Sequence, residues 1–201
     1  MSAFNDTDIT PEVLALARAG DEAALARLYV AFERPVCALA RRLVSPPAAA
    51  QDIAQDVFVD VLTRLHQYEG RGSFAGWVRS ITVSRCLMHL RSPWHKSRRW
   101  LDRLLDESGA MLEQMEQLPA PSTDRSDQID LERALVRLGE TARAVVWLHD
   151  VEGYTHGEIG ALFGATSSFS KSQLARAHTR LRALLQPEGV EASCMPVSNN
   201  C

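Results

Sequence analysis

Thr155-His156-Gly157-Glu158-Ile159-Gly160-Ala161-Leu162-Phe163-Gly164 is the stretch that decides the fold, because a second helical segment, Ser167 to Gln186, follows it almost at once. The first piece predicts a short helix from Thr155 to Phe163, stopped by Gly164. Two helices joined by a tight glycine-containing turn place the second one in the DNA major groove. In that second helix Leu174, Ala177, Leu181, Leu184 and Leu185 recur at helical spacing and form an apolar stripe. Ser168, Ser172, Arg176 and Thr179 fall on the opposite face, with Lys171, Gln173, Arg180 and Arg182 on its flanks. The segment contains no Asp or Glu, although the whole chain has 22 basic and 25 acidic residues and a net charge of −3. Lysine and arginine neutralise phosphates, while Arg, Gln and Ser also bond base edges, so this face suits duplex DNA.

Upstream of the pair, Gln128 to Leu138 and Glu140 to Val151 read as two further helices of a compact C-terminal unit. Pro119-Ala120-Pro121-Ser122-Thr123-Asp124 marks a linker, and Pro187 ends the last helix before a polar tail expected to be disordered. The N-terminal half has its own helical pattern. Thr10-Pro11-Glu12 resembles a helix start, and Gly20 with Asp21 separates that helix from Glu22 to Val44, where Pro35 predicts a kink. Ser45-Pro46-Pro47 breaks the chain before a helix from Ala48 to His66. Its inward stripe is Ile53, Val57, Val61, Leu62 and Leu65. A loop from Gln67 to Gly72 leads into a fourth helix, Ser73 to Arg91. The expected architecture is all-α: an N-terminal helical domain (1–92), a linker (93–127), a helix-turn-helix domain (128–186) and a tail (187–201).

Low net charge means that any nucleic-acid role rests on local patches. Arg79, Arg85, Arg91, Lys96, Arg98, Arg99 and Arg103 stand against Asp102 alone between positions 79 and 103, while Asp52, Asp56 and Asp60 gather elsewhere. The N-terminus shows no basic and apolar secretory signal, and no apolar run approaches the roughly 18 residues that span a bilayer. The four cysteines, Cys37, Cys86, Cys194 and Cys201, have no zinc-type spacing. A reduced, cytoplasmic protein without membrane insertion is expected. No P-loop, GxGxxG, HExxH or GxSxG is present, so no catalytic residue, metal or cofactor is assigned and an enzyme is not expected. His149, Asp150 and His156 straddle a helix end and turn, and read as surface or capping residues.

Two pairs of motifs carry a resemblance. Ala50-Gln51-Asp52-Ile53-Ala54-Gln55-Asp56-Val57-Phe58 resembles the A-x-D-x-x-Q-x-x-F signature of bacterial sigma factors, and Gly70-Arg71-Gly72-Ser73-Phe74-Ala75-Gly76-Trp77-Val78 their gSF-x-x-W-L segment. Glu158-Ile159-Gly160-Ala161-Leu162-Phe163-Gly164 and Lys171-Ser172-Gln173-Leu174-Ala175-Arg176-Ala177 are similar to their EIA-x-x-LG and KS-R-L-x-RA. The ordered set, with only a linker between, resembles the extracytoplasmic-function (ECF) group of the sigma-70 family. The likeness covers about Ala24 to Arg91 and Leu131 to Leu185.

The resemblance implies three surfaces. Asp52, Gln55, Asp56 and Val59, which share one helix face, would dock on core RNA polymerase. Tyr68, Arg71, Ser73, Phe74, Arg79, Ser84, Arg85 and Arg91 would hold the promoter −10 element as it melts, since single-stranded DNA needs cationic tracking together with stacking planes. Core packing is the competing role for Phe74 and, more so, for Trp77. Ser168, Lys171, Ser172, Gln173, Arg176 and Arg180 would read the −35 element as duplex. An anti-sigma factor is the implied regulatory partner.

The chain departs from the family pattern in places. Ser168-Phe169-Ser170 replaces G-T-V, Ser84 and Met88 stand where N-x-x-x-D is usual, and Leu138-Gly139-Glu140 replaces LPE. Ser92 to Asp127 would stretch to roughly 120 Å at about 3.3 Å per residue, but would average about 33 Å as a coil. Promoter elements two helical turns apart lie roughly 70 Å from each other, so a partly extended linker is expected on polymerase. The rival class is a helix-turn-helix regulator with an N-terminal helical sensor and a ligand pocket. An adaptor with no DNA target is another alternative.

Overall fold

The computed structural model describes Phe4, Thr7, residues 9–92 and residues 126–185, with side chains of the last stretch from 131 onward. These residues form helices and no strand. The expected linker, the tail, and Cys194 and Cys201 lie almost wholly outside them.

Four helices make the N-terminal module. α1 spans Pro11–Arg18, with Pro11 in the first turn, where a missing N–H costs nothing. α2 spans Glu22–Leu43 and begins on Asp21, whose carboxylate accepts the Ala24 N–H at 2.8 Å. It runs as one helix through Pro35, which is buried. α3 is Pro47–Thr63, followed by a 3₁₀ turn at Leu65–Gln67, and α4 is Phe74–Arg91. α2, α3 and α4 pack on one another around Leu28, Phe32, Val36, Val57, Val78, Val83 and Leu87, all close to fully buried. Removing such side chains from water stabilises the module by roughly 1.5–3 kcal/mol each.

The C-terminal module has α5 (Ser126–Val136), α6 (Glu140–Val146) with a π turn at Trp147–Val151, α7 (His156–Phe163) and α8 (Ser167–Leu185). A capping box starts α7: the Thr155 hydroxyl accepts the Glu158 N–H, and the Glu158 carboxylate accepts the Thr155 N–H at 2.8 Å. Gly164 ends it in the left-handed conformation, φ 63°. The turn to α8 crosses tightly over Gly160, where a Cβ would stand 2.7 Å from the Thr166 carbonyl carbon. Leu148, Ile159, Leu174, Ala177 and Leu181 close the core beneath it.

Two apolar expectations are corrected. Leu62 and Leu185 are exposed rather than inward, because each lies at the edge of its helical stripe, beyond the reach of the neighbouring helices. Tyr29 of α2 is exposed on one side and lays its other face on Phe58 at 4.6 Å.

The modules touch. Arg143 of α6 is 5% exposed and reaches the elbow between α2 and α3, where Nε donates to the Arg42 carbonyl at 3.1 Å and an Nη to the Ser45 hydroxyl at 2.7 Å. Glu140 accepts the Ser45 N–H at 3.1 Å, and Arg42 pairs with Glu132 at 2.6 Å while lying over the Trp147 ring. Burial lowers the Arg143 pKa, yet its planar fork keeps hydrogen-bond partners from the elbow.

Candidate polymerase and nucleic-acid surfaces

Three surfaces follow from this framework. On α3 the three- and four-residue spacing puts Asp52, Gln55, Asp56 and Val59 on one face, and all four are exposed while Ile53, Ala54, Val57 and Phe58 are buried. Val59 is 60% exposed, an apolar side chain offered to solvent among carboxylates. Such a face suits a partner that is basic and partly apolar.

The second surface is the loop before α4 and the outer side of that helix. Here the predicted residues separate into two groups. Tyr68 and Phe74 are buried: Phe74 meets Phe32 and Tyr68 edge-on at 5.5 and 5.2 Å, and the Tyr68 hydroxyl donates to the Gly72 carbonyl at 2.7 Å. In this conformation neither ring offers a free stacking plane; together they fix the shape of the loop. Trp77, expected to be the more buried ring, is half-buried against both, so the preference between Phe74 and Trp77 is reversed. Ser73 caps α4 by accepting the Gly76 N–H at 3.0 Å, while Arg71 and Ser84 are exposed.

The arginines of α4 are engaged within the protein. Arg85 donates through Nε to Asp60 of α3, a carboxylate 6% exposed that also lies 3.4 Å from Arg64. The Arg85 hydrogen bond holds the Asp60 pKa below the usual carboxylate range, and Arg85 is raised in turn. Arg79 lies 3.5 Å from Glu152 and over the Tyr154 ring, both in the C-terminal module, and its Nε is buried without a partner among the described residues. Arg91 donates to the Leu162 carbonyl at 3.2 Å and sits against Gly164, at the electronegative end of α7. The two modules therefore share the guanidinium groups that line α4.

The third surface is α8. Ser168, Lys171, Ser172, Arg176 and Arg180 are exposed and Gln173 is half-exposed, on the side away from Leu174, Ala177 and Leu181. None of Lys171, Arg176 and Arg180 is held in an ion pair among the described residues, which leaves their charge available to phosphate and base edges. Ser170, which replaces the family's small apolar residue, is fully buried, and its hydroxyl meets His156 Nδ1 at 3.0 Å. The unexpected polar group thus has a partner.

Sequence reasoning missed what surrounds this helix. Asp150 bridges His149 Nδ1 and His178 Nε2, each at 2.7 Å, and the His149 and His156 rings stack at 4.5 Å. His178 is 28 positions from Asp150, so only the fold brings it there. No group of three or more His, Cys, Asp and Glu among the described residues is arranged for a metal ion, and no described helix is long and apolar enough to cross a membrane. A cleft of about 240 Å³ lies at the junction of the modules, lined by Arg41, Arg42, Ser45, Leu135 and Trp147 among others.

A bundle with an exposed acidic and apolar face, followed by a helix-turn-helix with an exposed cationic face, is the architecture of a two-module transcription factor. Residues 28–96 match the Sigma-70 region 2 family and residues 128–181 the Sigma-70, region 4 family. The chain is 31% identical over 184 residues to the ECF RNA polymerase sigma factor SigM of Mycobacterium tuberculosis, covering 87% of this chain and 83% of that one. It is 29% identical to a probable RNA polymerase sigma factor, RfaY, of Xanthomonas campestris pv. campestris, covering 83% of this chain but 41% of that longer protein. In structure it is similar to the sigma factor RpoE of Bartonella quintana, solved in complex with the anti-sigma factor NepR: TM-score 0.52, 22% identity, 82% of this chain and 98% of that one. The chain belongs to the ECF group of sigma-70-family RNA polymerase sigma factors. Proteins of this family are in general non-catalytic transcription initiation factors.

Proposed function

We propose that this chain binds core RNA polymerase through Asp52, Gln55, Asp56 and Val59 of α3, and directs it to a promoter with its two modules. In this reading the modules are residues 1–92 and 128–186, joined by a linker at 93–127 and followed by a tail at 187–201. Arg71, Ser73, Ser84 and the arginines of α4 hold the −10 element on a loop shaped by Tyr68 and Phe74. Ser168, Lys171, Ser172, Gln173, Arg176 and Arg180 read the −35 element. The chain performs no catalysis of its own; the polymerase supplies the chemistry. It acts in the cytoplasm, under an anti-sigma protein that covers one or both modules. The closeness of the Bartonella fold, seen with its anti-sigma factor, supports that partner class.

The observation that carries the reading is the pairing of two uncommitted faces of opposite character, on α3 and on α8, in one chain. Arg79 and Arg91 are engaged by the C-terminal module, so promoter engagement requires the modules to part. The test is reconstitution with core polymerase and run-off transcription from genomic fragments, with permanganate footprinting of unpaired thymines. Start sites that depend on this chain and show a melted bubble support the proposal. A chain that binds duplex DNA alone and leaves polymerase unaffected would instead be a conventional regulator.

A further inference from the structure

The recognition helix is gripped at two places by imidazoles that the sequence scatters. Ser170, in its first turn, is fully buried with its hydroxyl 3.0 Å from His156 Nδ1 at the start of α7. His178, eight residues on and about 12 Å along the axis at 1.5 Å per residue, has its Nε2 2.7 Å from Asp150 in the π turn. The two grips are joined, because the His156 ring stacks on His149, and His149 Nδ1 meets the other Asp150 oxygen at 2.7 Å. Ser170, His156, His149, Asp150 and His178 thus form one continuous set of contacts, three hydrogen bonds and one ring stack, joining α7, the π turn and α8. π turns recur at functional sites, and this one places Asp150 between two imidazoles.

We propose that this chain of side chains is a clamp that sets the position of α8 in the major groove, and that its members are positioning residues for −35 recognition. The inference rests on the −35 reading of α8 given above. The geometry favours a clamp over an incidental surface cluster for two reasons. Its one serine is buried, and an unpaired hydroxyl there would be costly, so His156 is held in place. Its carboxylate uses both oxygens on two different elements, with both hydrogen bonds lowering its pKa against the opposing effect of burial. Burial, then His149 and Lys171, disfavour a proton on His156, while Asp150 opposes them. A helix held at two points cannot tilt or slide to fit mismatched bases, which is how positioning becomes discrimination.

Asp150→Asn gives the two explanations opposite signs. A carboxylate that merely faces phosphates repels them, so removing its charge would tighten binding to every duplex. A clamp carboxylate becomes a neutral amide with one acceptor oxygen in place of two, so it can no longer accept from both His149 and His178 and discrimination falls. The experiment selects duplexes from a pool randomised at the −35 position with the full chain in reconstituted holoenzyme. It then compares affinity for the enriched duplex with that for a scrambled one. Asp150→Asn and His178→Ala should each lower that ratio roughly tenfold, the scale of one bidentate base contact. His178→Gln, whose amide still donates to Asp150, should retain most of it, with circular dichroism unchanged in all variants. The paired change His156→Leu with Ser170→Val should discriminate better than His156→Leu alone, since no buried hydroxyl is left unpaired. Tighter binding of Asp150→Asn to both duplexes at an unchanged ratio overturns the clamp. Wild-type holoenzyme that enriches no −35 sequence overturns the −35 reading itself, and the clamp with it.

Discussion

Replacing Asp60 with alanine should destabilise the N-terminal module by freeing Arg85, and with it the packing of α4 on α3. Asp60 is 6% exposed on α3 and holds Arg85 of α4, with Arg64 at 3.4 Å. Removing one partner of a fully buried ion pair costs roughly 3–5 kcal/mol, because the other charge is left without compensation. The Arg85 side chain is 28% exposed and can turn partly to water, so a loss of about 2 kcal/mol is expected. In a module of this size that corresponds to a fall in Tm of roughly 8–16 °C.

Cys86 supplies a probe confined to the module. It is buried in α4, and burial pushes its thiol pKa up to about 12, so it should react with a thiol reagent only after unfolding. Pulsed labelling across a urea series would give the unfolding midpoint of the module in the full chain. The sign with pH is also fixed. The Asp60 pKa is lowered in the fold, so its stabilisation is present above the unfolded value near 4 and lost as pH falls through the lower folded value. The difference between wild type and Asp60→Asn should therefore be complete above about pH 5 and shrink below about pH 4. The double change Asp60→Leu with Arg85→Met should recover much of the loss, since an apolar pair can replace a buried ionic one. An Asp60→Ala midpoint equal to wild type, or a double variant as weak as the sum of the single ones, would refute the reasoning.

Further outcomes can be stated briefly. Arg143→Met removes the guanidinium that bonds the Arg42 carbonyl and Ser45. At about 1.5 kcal/mol for each bond to a charged group, the ratio of docked to undocked chains should fall more than tenfold. Small-angle scattering should then show a radius of gyration above the roughly 16–17 Å of a compact chain of this length, and an unchanged radius would argue that the docking does not depend on Arg143. Iodoacetamide at pH 8 followed by peptide mapping should modify half-buried Cys37 slowly, because burial raises its pKa as well, and Cys86 more slowly still. Equal rates would contradict the packing around α4.

Much of this architecture could be read from residue spacing. The face of Asp52, Gln55, Asp56 and Val59 emerged from three- and four-residue steps, and so did the exposed residues of α8, because both depend only on local helix geometry. What stayed hidden depends on contacts between distant segments. Asp60 looked like part of an acidic surface, and only the approach of α4 turns it into an internal partner of Arg85. Arg143 resembles any helix arginine until Ser45, 98 positions earlier, meets it. Tyr68 and Phe74 carry the composition of a stacking surface, but Phe32 of α2 draws them inward. His149 and His156 were placed at a turn by the sequence, while His178 and Ser170 needed the folded helix pair to complete the cluster.

The central claim is that this chain is a promoter-recognition subunit whose α3 face meets polymerase. Binding of the purified full chain to bacterial core RNA polymerase, beside the variant Asp52→Ala with Gln55→Ala, tests it most directly. The account predicts a stable complex that the double variant weakens at least tenfold while its helix content and Cys86 protection remain unchanged. Failure of the wild-type chain, freed of any inhibitor, to bind core polymerase would contradict it, and so would a double variant that binds equally well.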